Sequence, residues 1–442
     1  MRGPYHPDLY DVARWPESWW RASAPPPPPR PPLEGDATAE VAIIGAGYAG
    51  LACAEALAGR GVDVVALDAG EIGWGASGRN GGIVGLSSDK LGTEALVARF
   101  GEDETRRYVE SQVEGARRLR AFCDAEGVET QGDAEAYVAH TPAVFERLGK
   151  WREARWGVEA SLLSREAYAE RGYVGPEQHG ALIVRPGFGL HPMQLAQARA
   201  RAAERAGARL HPRSEVRAWR REGATHRLET ARGSIRAGKV VLATNGFTPD
   251  GLHPAFDGRA MPVLSMIGVT RQINQAEMAA HGWREDAPLC TTRRMLYYFR
   301  MLPQRRLLFG MRGDLDGSAA SAPRFAAHLR AHMARMLPEW RDVELEHFWR
   351  GPVCMTRAYR PAVGRLPDDP TVFHAFGWHG SGVNGAAVAG RLLAAVIAGA
   401  DEATIPAPWR GLPPRIPLPG LRKVWLGGML ALYRAKDAME AR

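Results

Sequence analysis

The chain has 442 residues, of which 45% are hydrophobic, 24% charged and 8% aromatic. This excludes a collagen, a disulfide-stapled miniprotein and a mostly disordered chain, and leaves room for two or three domains. The formal net charge is +8, but only five of the 57 basic residues are Lys and the Arg residues are dispersed, a pattern of coding bias rather than of a nucleic-acid-binding face.

Residues 1–20 lack the apolar core of a signal peptide. Trp15, Trp19 and Trp20 mark an arm that packs on the body, and the proline run at 24–32 is a stiff polyproline II spacer. The run 41–58 is apolar enough to suggest a membrane span, but its Gly45, Gly47, Gly50 and Glu55 read better as a buried strand turning into a helix. The strand is 41–44 (VAII), the turn 45–50 (GAGYAG), the helix 51–59, and a second strand follows at 62–68 (VDVVALD). Helices are expected over about 92–127, 143–157 and 191–206, the last with Pro192 suited to its first turn. Strands are expected at 226–236, 239–246 and 260–272, and 295–301 with 306–311 form a hairpin. A strand at 371–377 leads into the loop 377–385 (GWHGSGVNG) and a helix at 386–398, and the tail ends in an amphipathic helix over about 424–438. Cys53, Cys123, Cys290 and Cys354 form no CxxC pair, so neither a zinc site nor a disulfide framework is expected, and a reducing, cytoplasmic compartment fits.

Three segments carry chemistry. GxGxxG alone is a weak signal, but here it follows a strand, opens a helix and is followed by Asp68 at the end of the second strand, as a dinucleotide fold requires. Gly45 allows the tight turn, Gly47 the close approach of a pyrophosphate to the backbone, and Gly50 the packing of helix on strand, while Asp68 can accept both hydroxyls of a ribose. The next segment, 71–82 (EIGWGASGRNGG), holds five glycines in twelve residues, a backbone able to lie against a flat ligand, with Arg79 and Asn80 able to face a pyrophosphate or a flavin ring. The loop 377–385 before a helix is the third, because a helix N-terminus aimed at a flavin edge stabilises the anion of the reduced ring.

These segments make the chain resemble the FAD-dependent oxidoreductases of the D-amino acid oxidase/sarcosine oxidase superfamily, and within it the gamma-glutamylputrescine oxidase-like branch. The resemblance is carried by 41–51, 73–82, 242–247 (LATNGF), 296–300 (LYYFR), 306–310 (RLLFG), 377–385, the preamble 8–20 and the stretch 417–433. It implies FAD bound by Gly45, Ala46, Gly47, Tyr48, Gly50, Asp68, Ala69, Gly75, Ala76, Ser77, Arg79, Asn80, Gly81, Gly82, Val216, Thr244, Asn245, Gly246, Gly377, His379, Gly380, Ser381, Gly382 and Val383. It also implies an α/β architecture: a discontinuous Rossmann-like FAD-binding domain (36–90, 186–250 and 350–405) beneath a mixed-sheet substrate domain (91–185 and 251–349) that roofs the flavin. An N-terminal arm with its linker (1–35) and a C-terminal tail (406–442) complete the chain.

The implied reaction is oxidation of a C–N bond in a small amine or N-substituted amino acid. Hydride passes to flavin N5, the imine hydrolyses, and O2 or another acceptor reoxidises the flavin, with H2O2 as the product from O2. Relatives usually carry G-F/Y-S/N-G-H/R-G where this chain reads GWHGSG, and a carboxylate-binding Lys of sarcosine oxidases is replaced by Asn384. An amine with no adjacent carboxylate is therefore easier to fit. Strand alternation puts Tyr298 and Arg300 on one face, expected as a pocket wall and an anchor for a distal substrate carboxylate, and His379 can tune O2 reactivity or amine protonation. Cys354 falls close to where sarcosine oxidases tether flavin, although a small buried hydrophobe is the preferred reading. Two alternatives stay open: a D-amino-acid-type dehydrogenase that passes electrons to a quinone, with peripheral membrane contact through the basic surface and the C-terminal helix, and an RNA-modifying flavoprotein, against which the dispersed Arg and the missing RNA module argue.

Overall fold

The computed structural model describes residues 3–149 and 156–440. The strand Gly35–Ile44 lies between Val64–Leu67 and Gly233–Leu242, both parallel to it. Arg209–His211 extends one edge beyond Val64–Leu67. The C-terminal end of Gly233–Leu242 pairs in parallel with Val372–Phe376, and its N-terminal half pairs antiparallel with Thr225–Glu229. Among the described residues this is an eight-stranded sheet. The central strands are apolar where both faces are covered, at 41–44, 64–67 and 240–242, while residues 35–40 are exposed or half-buried. Alternation sends Val41, Ile43, Val64 and Ala66 into a core with the helices Tyr48–Ala58, Pro192–Arg205 and Gly382–Ile397. Ala42, Ile44, Val65 and Leu67 enter a second core on the other face, which contains Trp219, Phe256 and Cys354.

Among the described residues a second eight-stranded sheet runs in the order Leu345–Met355, Met261–Thr270, Arg306–Asp314, Tyr297–Leu302, Leu289–Thr291, Glu135–Val138, Ala181–Arg185, Glu159–Leu163. Its pairings are antiparallel except for Leu289–Thr291 with Glu135–Val138. One face of this sheet is apolar. Ala136, Leu289, Tyr297, Phe299 and Phe309 pack there against Leu329 and Met333 of the helix Ala322–Met336. The other face meets the glycine loops of the first sheet.

The structure departs from expectation in its boundaries. The helix expected over 92–127 is two helices, Thr93–Phe100 and Glu102–Glu126, broken at Gly101, whose φ of 83° lies in the left-handed region. The next expected helix is seen as Pro142–Gly149, and residues 150–155 of it lie outside the described residues. Leu345–Met355 is one continuous roof strand across position 350, where the sequence reading set a domain boundary.

Both termini pack on the body. Trp20 is buried, donates from Nε1 to the Asn80 carbonyl at 2.8 Å and packs against His191 and Trp349. Arg30, in the proline spacer, forms a bidentate pair with Glu204. The C-terminal helix Arg422–Glu440 buries Leu426 and Leu430 in a cluster with Tyr5 and Met295. No helix among the described residues is long and apolar enough to cross a membrane.

Candidate functional site

The first strand, the helix behind it and the second strand position a cleft of about 1260 Å³, counting the open solvent at its mouth. The three motif glycines act as expected from their neighbours. A Cβ on Gly45, whose φ is 101°, stands 2.8 Å from the Ala243 carbonyl oxygen, and one on Gly50 stands 1.9 Å from the Gly45 carbonyl oxygen. Both positions are closed by backbone. A Cβ on Gly47 meets only the Ser77 hydroxyl, at 3.0 Å, so that glycine keeps the cleft open in front of the helix N-terminus. Gly47 is the N-cap of Tyr48–Ala58 and makes no side-chain cap. The Ser77 hydroxyl accepts from the Tyr48 N–H at 3.0 Å.

Asp68 lines the same cleft. Its two carboxylate oxygens accept from the Ala46 N–H at 2.8 Å and the Gly70 N–H at 3.0 Å. Burial nevertheless pushes its pKa up to about 6, against the pull of those two amides. Each oxygen keeps acceptor capacity for a ribose hydroxyl. A cradle that one Cβ would fill, a helix N-terminus and a carboxylate pinned by backbone fit the dinucleotide half of FAD.

Of the residues assigned to the cofactor, Gly45, Ala46, Gly47, Tyr48, Asp68, Ala69, Gly75, Ala76, Ser77, Asn80, Val216, Thr244, Asn245, Gly380, Gly382 and Val383 line the cleft. Others stand behind it. Gly50 packs on Gly45, and Gly246 lies against Pro352. The Ser381 N–H donates to the Trp378 carbonyl. The Gly377 N–H donates to the Asn245 side chain at 2.9 Å, which ties two cleft loops together. Arg79 does not reach the cleft as expected. It is buried, donates to the Trp74 and Arg350 carbonyls at 2.7 and 3.2 Å and stacks on the Trp74 ring, and burial lowers its pKa to about 9. Those carbonyls and the Trp74 ring hold residue 79 away from the ligand side, and Asn80 is left there. Trp74, Phe247, Pro352 and Trp378, to which no cofactor role is given by the sequence, also form cleft walls.

Above the glycine loops lies the polar face of the roof sheet. Tyr298 is on it, as alternation predicts. A Cβ on Gly81 stands 2.9 Å from the Tyr298 ring, and the Tyr298 and Ser265 hydroxyls are 2.8 Å apart. Arg300 shares the face but is placed differently from the expected substrate anchor. It is buried, donates to the Leu190 carbonyl at 2.6 Å, packs against Gly82 and Gly189, and lies over the Trp20 ring. The face brings further groups that sequence reasoning missed. Cys290 pairs with both Tyr137 and Tyr298, and Ser265 with Arg312. Glu135, on the same face two residues before Tyr137, accepts from the Tyr137 hydroxyl at 2.8 Å and from the Cys290 thiol at 3.6 Å, and burial pushes its pKa up to about 6. A Cβ on Gly380 stands 3.2 Å from Arg312 Nη2, so Arg312 touches the C-terminal glycine loop. The hairpin itself held the signal: once 302 pairs with 306, residue 312 falls on the Tyr298 face.

His379 is fully buried with a φ of 52°. The Thr356 hydroxyl donates to the Arg360 carbonyl at 2.7 Å, so it accepts from His379 Nε2 at 3.2 Å, which leaves Nδ1 an acceptor with no partner among the described residues. Burial first, and then Lys90 and Arg312, lower the His379 pKa to about 3, so the ring is neutral across the physiological range. Asn384, where sarcosine oxidases carry Lys, donates its amide to the Gly85 and Gln112 carbonyls at 3.2 and 2.9 Å. Cys354 is buried in the cleft wall, and burial pushes its thiol up to about 12.

This arrangement agrees with comparisons to known proteins. The DAO family, described as FAD dependent oxidoreductase, matches residues 40–396. The chain is 31% identical over 393 residues to the probable oxidoreductase OrdL of Rhizobium meliloti (strain 1021), covering 86% of this chain and 88% of that one. It is 27% identical to the gamma-glutamylputrescine oxidoreductase of Escherichia coli (strain K12), covering 87% and 89%. In fold it is similar to the solved glycine oxidase from Geobacillus kaustophilus, with a TM-score of 0.67, 21% identity and coverage of 82% and 94%. Family match, cleft and roof agree, and the chain belongs to the DAO family of FAD-dependent oxidoreductases.

Proposed function

We propose that the protein oxidises the C–N bond of an amine that has no carboxylate on the oxidised carbon, a gamma-glutamylputrescine-like compound, and uses O2 as the acceptor with release of H2O2. The observation that carries this reading is the meeting of the Gly81 and Gly380 loops with the Tyr298 face of the roof sheet. When bound there, FAD supplies the two-electron chemistry. The chain's own residues position the substrate and exclude water. The Tyr298 ring walls the space over Gly81 and restrains the amine. A buried setting favours the neutral amine, the form that is oxidised, without a dedicated base. His379, neutral and hydrogen-bonded to Thr356, is not that base. The engaged amide of Asn384 offers no cation to a carboxylate beside the reacting carbon, which supports an unsubstituted amine terminus.

The test is stoichiometric. One H2O2 and one ammonia are expected per amine consumed in air. Turnover with an added quinone but no O2 uptake would transfer the reading to a dehydrogenase. One observation favours that second reading: the outward side of the C-terminal region exposes Leu418, Leu421, Val424, Trp425 and Leu432, a surface suited to contact with a lipid-borne acceptor.

A further inference from the structure

The polar face of the roof holds two cations that the reaction so far does not use. Arg312 is half-buried and makes no hydrogen bond or salt bridge among the described residues. Lys90 is solvent-accessible and likewise unpaired, and its main-chain N–H donates to the Tyr359 carbonyl at 2.8 Å. The carboxylates that act on Lys90 are already engaged. Asp89 accepts from the Tyr108 hydroxyl and the Leu91 N–H, each at 2.8 Å. Glu135 accepts from Tyr137 and Cys290. Crowding by the surrounding protein and then repulsion from Arg312 lower the pKa of Lys90 to about 8, and burial lowers that of Arg312. Arg312 is a half-buried guanidinium with no carboxylate in contact, and Lys90 stands beside it at the solvent side, so an anion entering from solvent can be held by both.

Position gives the anion's place. Tyr359, whose carbonyl accepts from the Lys90 N–H, is exposed, and Arg312 stands between Tyr433 of the C-terminal helix and Tyr298, which packs on Gly81. We propose that Lys90 and Arg312 bind a carboxylate at the far end of the substrate, so that the substrate class is an amine carrying an anionic group remote from the carbon that is oxidised. This deepens the proposed function and rests on it only for the amine end. The anchor expected at Arg300 is thereby moved to the neighbouring strand of the same face, because Arg300 is engaged by the Leu190 carbonyl. Lys90 and Arg312 are specificity-determining residues, since a carboxylate gains charge-assisted hydrogen bonds from both and a neutral tail gains neither.

Two measurements on the FAD-loaded protein test this. First, glutarate, which has carboxylates but no amine to oxidise, is titrated by calorimetry against the wild type, Lys90→Met, Arg312→Met and Arg312→Lys, with glutaramide as the uncharged control. Glutarate is expected to bind wild type, to bind each Met variant about 10- to 100-fold more weakly, and to recover part of its affinity in Arg312→Lys. Glutarate affinity equal in wild type and both Met variants, or no preference over glutaramide, overturns the proposal even if the protein proves to oxidise no amine. Second, kcat/KM for gamma-glutamylputrescine is divided by that for N-butyrylputrescine, which has the same chain without the charged head. The ratio is expected to fall about 10- to 100-fold in the Met variants. An equal loss for both compounds, with weakened FAD binding, would assign the two cations to the flavin and sink the carboxylate site.

Discussion

Gly47 and Gly50 differ by one turn of helix and by what stands in front of them. A side chain at Gly50 collides with the Gly45 carbonyl, whereas one at Gly47 enters the open cleft. Gly47→Val is therefore expected to keep the circular dichroism spectrum and melting behaviour of the apoprotein while losing FAD. Gly50→Ala is expected to lower the apoprotein's unfolding midpoint as well. If Gly47→Val bound flavin normally, the cradle would not be where the pyrophosphate sits. Asp68 allows a pH test. Its carboxyl is pushed up to about 6, and protonation removes an acceptor from the ribose. FAD affinity is thus expected to weaken as pH falls through about 6, and Asp68→Asn to weaken it about 10- to 100-fold at pH 8 and flatten the pH dependence. Flavin fluorescence quenching reports both effects. Cys354, with its thiol pushed up to about 12, has little nucleophilic thiolate to offer a flavin. Acid precipitation is expected to leave all the flavin in the supernatant, and yellow colour retained in the pellet would contradict that.

At the scale of elements, the N-terminal arm and the roof strand hold the 71–82 loop between them. Trp20 donates to the Asn80 carbonyl and Trp349 to the Arg79 carbonyl, each at 2.8 Å. Trp20→Ala is expected to destabilise the protein by about 3–5 kcal/mol, as loss of a large buried side chain does, and to speed FAD dissociation. A change confined to stability would show that the arm does not support the loop. The elements that were legible in the sequence are those with a local cause. The GAGYAG turn, the hairpin at 302–306 and the helix start at Pro192 follow from spacing, alternation and the preference of Pro for the first turn, and the structure adds His191 as the N-cap, its ring accepting from the Gln194 N–H. The break at Gly101 was missed because a single glycine inside a helical pattern is usually tolerated. Arg79 and Arg300 were placed on the right segments, but their direction is set by tertiary partners: the carbonyls of Trp74, Arg350 and Leu190 and the Trp20 ring. None of these is near in sequence to Arg300, and only Trp74 is near to Arg79.

At the scale of the whole molecule, the first sheet shapes a dinucleotide cleft and the second brings one apolar and one polar face over it. Lys90, Glu135, Cys290 and Arg312 come from four separate segments and meet only when the roof sheet is registered and set on the glycine loops. No spacing in one sequence reveals such a cluster. The motifs indicated the cofactor half of the site because one βαβ unit contains it, while the substrate half was dispersed. The most direct measurement is an anaerobic visible titration of the purified protein with gamma-glutamylated diamines, simple polyamines, N-methyl amino acids and D-amino acids. The account predicts that oxidised flavin bands are present and bleach with the amine whose far end carries a carboxylate, at lower concentration than with its uncharged counterpart. A protein that carries no flavin, takes up no added FAD, or holds flavin that none of these amines bleaches would contradict it.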